Sequence, residues 1–217
     1  MSGHSKWSTI KHQKGAADAK RGAVFTKLAN AITIAVKNNL NYSTLLEKAR
    51  QANMPKDRIQ RAINRATSKS EGELHEAVFE GFGPENVAII IETITDNTTR
   101  TSQEIKNIFN KNNYSLGTCG YLFTRCGEIE VEGENIFEKA LESGAEDVED
   151  NFIYTNSNDL HKVKGSLKDL KIASVQLIYR PINFVEIIDE TQKQEVVDFI
   201  DLLESLDDVQ RVYTNLK

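Results

Sequence analysis

The sequence predicts an α+β protein in which a small helical bundle precedes mixed α/β units. In the first third of the chain, apolar residues recur at the three- and four-residue spacing of amphipathic helices. From about residue 78, short β-branched runs alternate with single helices, which is typical of α+β folds. The length of 217 residues, with 39% hydrophobic and 27% charged residues, suits two or three compact units and argues against general disorder.

Three short helices are predicted in the first third of the chain. An apolar stripe repeats over residues 16–37. Within it, Gly22 disfavours the helix by about 1 kcal/mol relative to alanine, which predicts a kink there or a later start. Residues 44–47 (TLLE) match a capping box that opens a second helix through residue 52. Pro55 suits the first turn of a third helix, where its missing N–H is not needed.

The later elements are predicted from β-branched runs, capping signals and turn residues. A second capping box at residues 101–104 (TSQE) predicts the start of a helix. Gly127 predicts a break in one extended segment, and Pro181 predicts an interruption between two others. The remaining predicted elements are strands at 78–80, 87–94, 121–131, 151–155, 175–179, 184–188 and 209–213, and helices at 136–143, 159–170 and 191–206.

Charge divides the chain into a basic front and an acidic remainder. Residues 1–70 hold 14 Lys and Arg against 3 Asp and Glu, a net charge of +11, whereas residues 71–217 have a net charge of −16. Such a split indicates contact with nucleic acid or with a membrane surface. No apolar run approaches the roughly 20 residues of a membrane span, and the N-terminus lacks a signal-peptide core, so a cytoplasmic protein is expected.

The first 27 residues form a basic segment that includes the N-terminal arm. They contain Trp7, His4 and His12, a single acid, Asp18, and no apolar period before about residue 10 that would join a core. Basic arms of this kind usually contact a polyanion, and a solvated, frayed N-terminus is the alternative. The six cations of the arm are Lys6, Lys11, Lys14, Lys20, Arg21 and Lys27.

A second group of cations is predicted on the third helix. At about 100° per residue, these cations fall in one narrow arc beside the apolar side of the helix, which is formed by Ile59, Ala62, Ile63 and Ala66. Like charges at this spacing repel one another, and few acids lie nearby in the first 70 residues. Phosphate contact is therefore favoured over the alternative of a solvated surface. The four cations are Arg58, Arg61, Arg65 and Lys69.

No catalytic or metal-binding motif accompanies these cations, so a non-enzymatic protein without cofactor, metal or evident small-molecule substrate is expected. The two cysteines, Cys119 and Cys126, have a C-x6-C spacing that suits ordinary reduced thiols. The turn GFGP at residues 81–84 is favoured as a plain turn over a phosphate-binding loop. Four alternating acids are expected on the solvent face of a strand, with a metal-dependent phosphodiesterase as a remote alternative. These acids are Glu128, Glu130, Glu132 and Glu134.

Several short motifs occur in one order along nearly the whole chain. They are GHSKW, IKH, DAKRG and FTK in the first 27 residues, then NMPKD, EGFGP, TDN followed by RT, and DDVQRVY. This ordered set resembles the YebC/PmpR family of bacterial transcriptional regulatory proteins, whose mitochondrial relatives are translational activators. The resemblance implies that the basic N-terminal residues of the family correspond to Lys6, Trp7, Lys11, His12, Lys14, Lys20, Arg21 and Lys27.

The resemblance also implies a domain layout of a helical bundle and two ferredoxin-like α/β domains, one inserted into the other. The expected domains are a basic arm at 1–20, a bundle at 21–75, an α/β domain at 76–127 plus 183–217, and an inserted α/β domain at 128–182. The chain departs from the family pattern at Gln13 and Ala23, where Arg and Lys are usual, and at Glu85 and Asn86, where a glycine pair is usual. Two lost cations imply weaker or differently placed phosphate contacts.

The expected function is a nucleic-acid-binding regulatory protein, in the first instance a DNA-binding transcriptional regulator of the YebC type. No recognition helix with base-reading residues at major-groove spacing is identifiable, which leaves open a translation factor that contacts ribosomal RNA or the ribosome. The sequence leaves the target sequence, the oligomeric state and any effector undetermined.

Overall fold

The computed structural model of the protein describes residues 19–67 and 73–217, with side chains from residue 22 onward in the first range. Its helices are α1 (Ala19–Lys37), α2 (Ser43–Gln51), α3 (Lys56–Thr67), α4 (Thr98–Lys111), α5 (Ile136–Ser143), α6 (Leu160–Ser166) and α7 (Glu190–Glu204). Its strands are β1 (His75–Phe82), β2 (Ala88–Thr95), β3 (Ser115–Leu116), β4 (Phe123–Glu132), β5 (Asp147–Glu149), β6 (Phe152–Asn156), β7 (Lys171–Pro181) and β8 (Val209–Thr214).

The contacts that residues make in space divide these elements into two compact units. The first unit takes the described residues up to 119 together with Ile187–Tyr213. The second takes Gly120–Glu186 together with Thr214–Lys217. The first unit contains the three N-terminal helices and one sheet, and the second contains the other sheet.

The helices α1, α2 and α3 pack as a bundle around a small apolar core. Ile32, Ala49, Met54 and Ala62 are its buried members. The Thr33 hydroxyl donates to the Ala62 carbonyl at 2.8 Å, which ties α1 to α3 inside this core. The helix α1 runs without interruption through Gly22, so the predicted kink or later start is wrong.

Neither predicted capping box forms, because both helices begin earlier than the boxes require. The helix α2 starts at Ser43, which places Thr44 inside the first turn and leaves the N-cap, Tyr42, without a side-chain hydrogen bond. The helix α4 starts at Thr98, and its N-cap is Asn97, whose Oδ1 accepts from the Arg100 amide at 3.0 Å. An asparagine at this position satisfies a helix N–H as the box would have done.

The sheet of the first unit has the strand order β3-β1-β2-β8. The strands β1 and β2 pair antiparallel along their whole length, and β2 is buried almost throughout because both sheet faces are covered. On one face, Phe109 of α4 and Phe199 of α7 meet edge to face, with ring centroids 5.1 Å apart. On the other face, Ile34 of α1 packs with Ile94. The short strand β3 was not predicted.

The sheet of the second unit is antiparallel in the order β5-β6-β4-β7. Gly127 does not break β4, since it pairs with β6 on one side and β7 on the other. A Cβ there would lie 2.6 Å from Leu160 Cδ1, so close packing explains the glycine. Pro181 ends β7 in register with Phe123, and the predicted strand at 184–188 is only an isolated bridge at Val185. The strand β5 was also missed.

These elements confirm the predicted α+β class, with a helical bundle in the first third of the chain and two separate four-stranded sheets in the rest of the sequence. The domain limits inferred from the resemblance stay a prediction.

Candidate nucleic-acid interface

Three of the predicted cations lie on one side of α3. Arg61 is exposed, and Arg58 and Arg65 are half-buried at the margin of the bundle core. The spacing follows from the helix: residues three and four apart are neighbours on its surface, while Ala62 turns inward. The helix has one acid in its first turn, Asp57. We call the three arginines Arg58, Arg61 and Arg65 the arginine stripe.

Contacts with α1 fix the position of Arg58. Its Nη2 donates to Thr26 Oγ1 at 3.3 Å, and its guanidinium carbon lies 5.5 Å from the centroid of the Phe25 ring. The stripe therefore begins against the turn of α1 that follows Lys20 and Arg21 in the sequence.

The positive charges of Arg58 and Arg61 are not neutralised by carboxylates of the described residues. Arg61 Nε donates to the Asp57 carbonyl of its own helix at 3.3 Å. Within residues 19–67 and 73–217, neither Arg58 nor Arg61 forms an ion pair with a carboxylate. Their charges are thus available to an external anion.

Lys27 lies in a different environment from the stripe. Its ammonium group donates to the Glu204 carbonyl, at the last residue of α7. A cation at the C-terminal end of a helix is favoured by the helix dipole. This contact gives Lys27 a structural role in joining α1 to α7, and its binding role stays a prediction.

The structure does not describe the side chains of the other predicted binding residues. Lys20 and Arg21 belong to the first turn of α1, and their side chains are outside the description. The remaining predicted residues lie outside the described ranges: Lys6, Trp7, Lys11, His12, Lys14 and Lys69.

Arg50 and Lys56 are among the exposed cations of the bundle that were not singled out from the sequence. Arg50 lies in the last turn of α2, and Lys56 is the first residue of α3. Lys56 is about 160° around the helix from Arg58, away from the stripe. The only sequence feature that pointed to Arg50 and Lys56 was the net charge of the first 70 residues, because neither belongs to a series of cations at three- or four-residue spacing.

The row of alternating acids is part of the second sheet and differs from the prediction. Glu128 is buried, with 4% of its surface exposed, and its Oε1 accepts from Gln176 Nε2 at 2.7 Å. Glu130 accepts from the Ser174 hydroxyl at 3.1 Å. Both donors lie directly opposite on β7, so a solvent face was the wrong prediction for Glu128. Among the described residues, no group of three His, Cys, Asp or Glu side chains is placed to hold a metal.

The GFGP turn owes its glycines to packing. A Cβ on Gly81 would lie 2.6 Å from the Phe109 ring, and one on Gly83 would lie 2.7 Å from Ile89. The next two residues, Glu85 and Asn86, have φ angles of 54° and 56°. The favoured interpretation, a plain turn, agrees with this geometry.

Both cysteines are free and buried in the structure. The Cys119 thiol donates to the Ile89 carbonyl at 3.4 Å. Burial raises the pKa of the Cys126 thiol to about 11. Thiols of this kind are mostly protonated at neutral pH and are poor nucleophiles.

A polar cluster at the end of β2 was not predicted as a unit. Asp208 Oδ2 accepts from Thr101 Oγ1 at 2.6 Å, from Arg100 Nη2 at 2.7 Å and from Thr95 Oγ1 at 3.0 Å. Burial acts to raise the pKa of Asp208, but these hydrogen bonds outweigh it and hold the pKa below its usual value. The cluster joins α4 to the start of β8. Asp208 is more than 100 positions from the other residues of the cluster in the sequence, so the spacing of residues could not have predicted the cluster.

Comparison with known protein families covers almost the whole chain. Residues 5–69 match the TACO1/YebC protein N-terminal domain, and residues 74–216 match the TACO1/YebC second and third domain. The chain belongs to the TACO1/YebC family. This assignment confirms the resemblance seen in the ordered motifs.

Relatives of this TACO1/YebC protein align over nearly their full lengths. A probable transcriptional regulatory protein of Persephonella marina is 42% identical over 240 residues, which cover 100% of this chain and 96% of the relative. One of Syntrophotalea carbinolica is 43% identical over 237 residues, covering 99% and 95%. The crystal structure of a conserved hypothetical protein from Aquifex aeolicus is similar, with a TM-score of 0.81, 37% identity, and coverage of 96% of this chain and 95% of that chain.

The names of the relatives from Persephonella marina and Syntrophotalea carbinolica describe regulators rather than enzymes. The chain is therefore a regulatory protein of the TACO1/YebC type. In the part of the chain that the structure describes, every helix is too short or too polar to cross a bilayer.

Proposed function

We propose that this protein is a non-enzymatic, DNA-binding transcriptional regulator of the YebC type. The observation that carries the proposal is the arginine stripe, since Arg58 and Arg61 have no carboxylate partner in the described residues. The net charge of +11 in residues 1–70 supports it, as do relatives named probable transcriptional regulatory proteins. A cytoplasmic location remains a prediction from the sequence.

In this proposal the stripe and the basic N-terminal residues hold the phosphates of one nucleic-acid backbone. Cations three and four residues apart repel one another on an isolated helix, and phosphate oxygens between them relieve that repulsion. Contacts of this type position a protein but carry no sequence information. The proposed contact residues are Lys6, Trp7, Lys11, His12, Lys14, Lys20, Arg21, Lys27, Arg58, Arg61, Arg65 and Lys69.

A translation factor or activator that contacts RNA or the ribosome is the second candidate function. It is supported by the kind of contact that the arginine stripe offers, because cations on a helix surface bind phosphate oxygens without reading bases, and such contacts hold RNA as well as DNA.

The stripe is tested by replacing its arginines with alanine. We expect Arg61→Ala to weaken binding to a 30-base-pair DNA duplex without unfolding the bundle, because Arg61 is exposed. The triple replacement of Arg58, Arg61 and Arg65 should weaken binding further. The measurement is a gel shift, with circular dichroism to check the fold.

Lys56→Ala is the matched control, since it removes one exposed cation from the same helix on its other side. Its effect should be clearly smaller than that of Arg61→Ala. Unchanged affinity in a folded triple variant would exclude the stripe from the site, and equal losses for Lys56→Ala and Arg61→Ala would leave only general electrostatic attraction.

A separate experiment distinguishes the two candidate functions. The full chain is sedimented with cell lysate on a sucrose gradient, and its affinity is compared for DNA and RNA duplexes of one sequence. Protein at the top of the gradient with a preference for DNA supports the regulator. Co-migration with ribosomes and a preference for RNA would replace it with the second candidate.

A further inference from the structure

The outer edge of β1 is only partly paired. All eight residues of β1 pair with β2, whereas β3 covers just Gly81 and Phe82. The Gly117 amide extends this contact by one bond, donating to the Glu80 carbonyl at 3.0 Å. Within the described ranges, no strand pairs with β1 on this side from His75 to Phe79.

The unpaired stretch presents backbone groups for hydrogen bonding. In an antiparallel ladder, successive residues direct their N–H and C=O groups to opposite edges. Because the Glu80 carbonyl faces β3, the N–H and C=O groups of Glu76 and Val78 face the same outer edge. The Ala77 carbonyl faces inward and accepts from Thr93 Oγ1 at 2.9 Å. An exposed edge of this kind is a template for another strand.

A groove of about 550 Å³ runs along this edge, with α4 as its opposite wall. Ala77 and Phe79 are half-buried, and Val78 is 46% exposed. Ala77 and Phe79 share a sheet face with Gly81, which packs against α4. They offer an apolar floor to a strand lying in the groove. The helix side is lined by Thr98, Thr99, Ser102, Gln103 and Lys106.

The charge of the lining indicates the chemistry of the occupant. Lys106 is exposed and is the one charged side chain among the lining residues that the structure describes. Glu104 lies about 160° around α4 from Lys106, on another side of the helix. An extended segment that places a carboxylate beside Lys106 would thus find a complementary charge.

We infer that this groove binds an extended, acidic peptide segment of a partner protein by strand addition to β1. The added strand continues the line of β3 and runs antiparallel to β1, with its backbone paired to Glu76 and Val78. Alternate apolar side chains of the segment cover Ala77 and Phe79, and an Asp or Glu meets Lys106. Backbone pairing supplies affinity in such complexes, and side-chain pockets supply specificity.

The test begins with a phage-displayed library of random nine-residue peptides panned against the full chain. We expect enrichment of peptides with alternating β-branched residues and at least one Asp or Glu. An enriched peptide, made synthetically, should protect the Glu76 and Val78 amides from hydrogen exchange. Lys106→Glu should weaken its binding about tenfold, and Lys111→Glu, the same change on another side of α4, should leave it unchanged.

A change in the peptide tests backbone pairing without altering the protein. Two peptides are made, one N-methylated at the odd-numbered amides and one at the even-numbered amides. One of the two should no longer bind, because its methyl groups replace the N–H donors that pair with β1. The inference is overturned if no peptide is enriched, or if the enriched peptide binds Lys106→Glu and wild-type protein equally. It is also overturned if the two amides become protected on raising the protein concentration alone, since a second copy then occupies the edge.

Discussion

At the scale of single residues, Asp208 shows how one carboxylate organises a junction. One of its oxygens accepts from a guanidinium group and two hydroxyl groups, and its own carbonyl accepts from the Ile94 amide at 2.9 Å. Its side chain is 12% exposed, so water replaces these partners poorly. Replacing the carboxylate with an amide keeps one acceptor oxygen but removes the charge, so the guanidinium group and the two buried hydroxyl groups lose a charge-assisted acceptor. This loss is more damaging than the loss of a surface ion pair.

We predict that Asp208→Asn lowers the free energy of unfolding by about 2 kcal/mol at neutral pH. The folded-state pKa of Asp208 lies below its unfolded value, so its contribution is complete above about pH 4 and is lost as the pH falls through the folded-state pKa. The difference between wild type and variant should therefore shrink in acid. Urea unfolding followed by circular dichroism at several pH values measures it.

Asp207→Asn is the matched control, because it removes the same charge from the exposed neighbouring residue. Its effect should stay within about 0.5 kcal/mol. A loss for Asp208→Asn no larger than that of Asp207→Asn would show that the hydrogen-bond cluster contributes little to stability.

Glu85 and Asn86 adopt an uncommon backbone conformation in the turn after Pro84. Both occupy the left-handed region, with φ angles of 54° and 56°. Asparagine tolerates this region better than glutamate does. The turn keeps its conformation because the residues on either side, Gly83 and Val87, are hydrogen-bonded to each other at 2.9 Å.

At the scale of elements, α1 shows that packing overrides a local preference. Gly22 disfavours the helix, yet the helix continues through it, because the apolar side of α1 is buried against α2 and α3. Gly22 is exposed, and a Cβ at this position would meet no atom within 4 Å. Gly22 therefore destabilises the helix only through its conformational freedom, and a residue with a side chain can replace it without a clash.

We predict that Gly22→Ala raises the free energy of unfolding by about 0.5 to 1 kcal/mol, because alanine restricts the unfolded chain and suits the helix. The measurement is the urea midpoint, with the slope of the transition unchanged. Gly81→Ala should do the opposite, since its Cβ would lie 2.6 Å from the Phe109 ring. A destabilised Gly22→Ala would contradict the helical geometry at this position.

At the scale of the whole molecule, the two parts of the chain carry opposed net charges. The front carries +11 and the remainder −16, so binding of a polyanion is expected to be confined to the front. In the proposed function this confinement restricts how the nucleic acid approaches.

We predict a strong salt dependence for the full chain. Binding releases the counterions that are condensed on the nucleic acid, so salt weakens it. With about five phosphates neutralised, a plot of the logarithm of the association constant against the logarithm of salt concentration should have a slope of about −4.5 on duplex DNA and about −3.5 on single strands. Fluorescence anisotropy between low and physiological ionic strength measures it. A flat dependence would rule out phosphate contact as the source of affinity.

The sequence by itself determined the fold class, the family and the approximate position of most helices and strands. Apolar periodicity and short motifs depend on residues that are close together in the sequence, so they can be recognised without a tertiary structure. Even the apolar side of α3 followed from spacing, as the buried Ala62 shows.

Only the tertiary structure decided which polar groups meet. The hydrogen bond of the buried Glu128 depends on Gln176 of the adjacent strand β7, 48 residues away, and the cluster around Asp208 joins residues more than 100 positions apart. The contact of Lys27 with the end of α7, and the groove between β1 and α4, likewise arise from packing between separate elements. Hydrogen bonds and charge compensation act between neighbours in space, and one-dimensional spacing does not encode those neighbours.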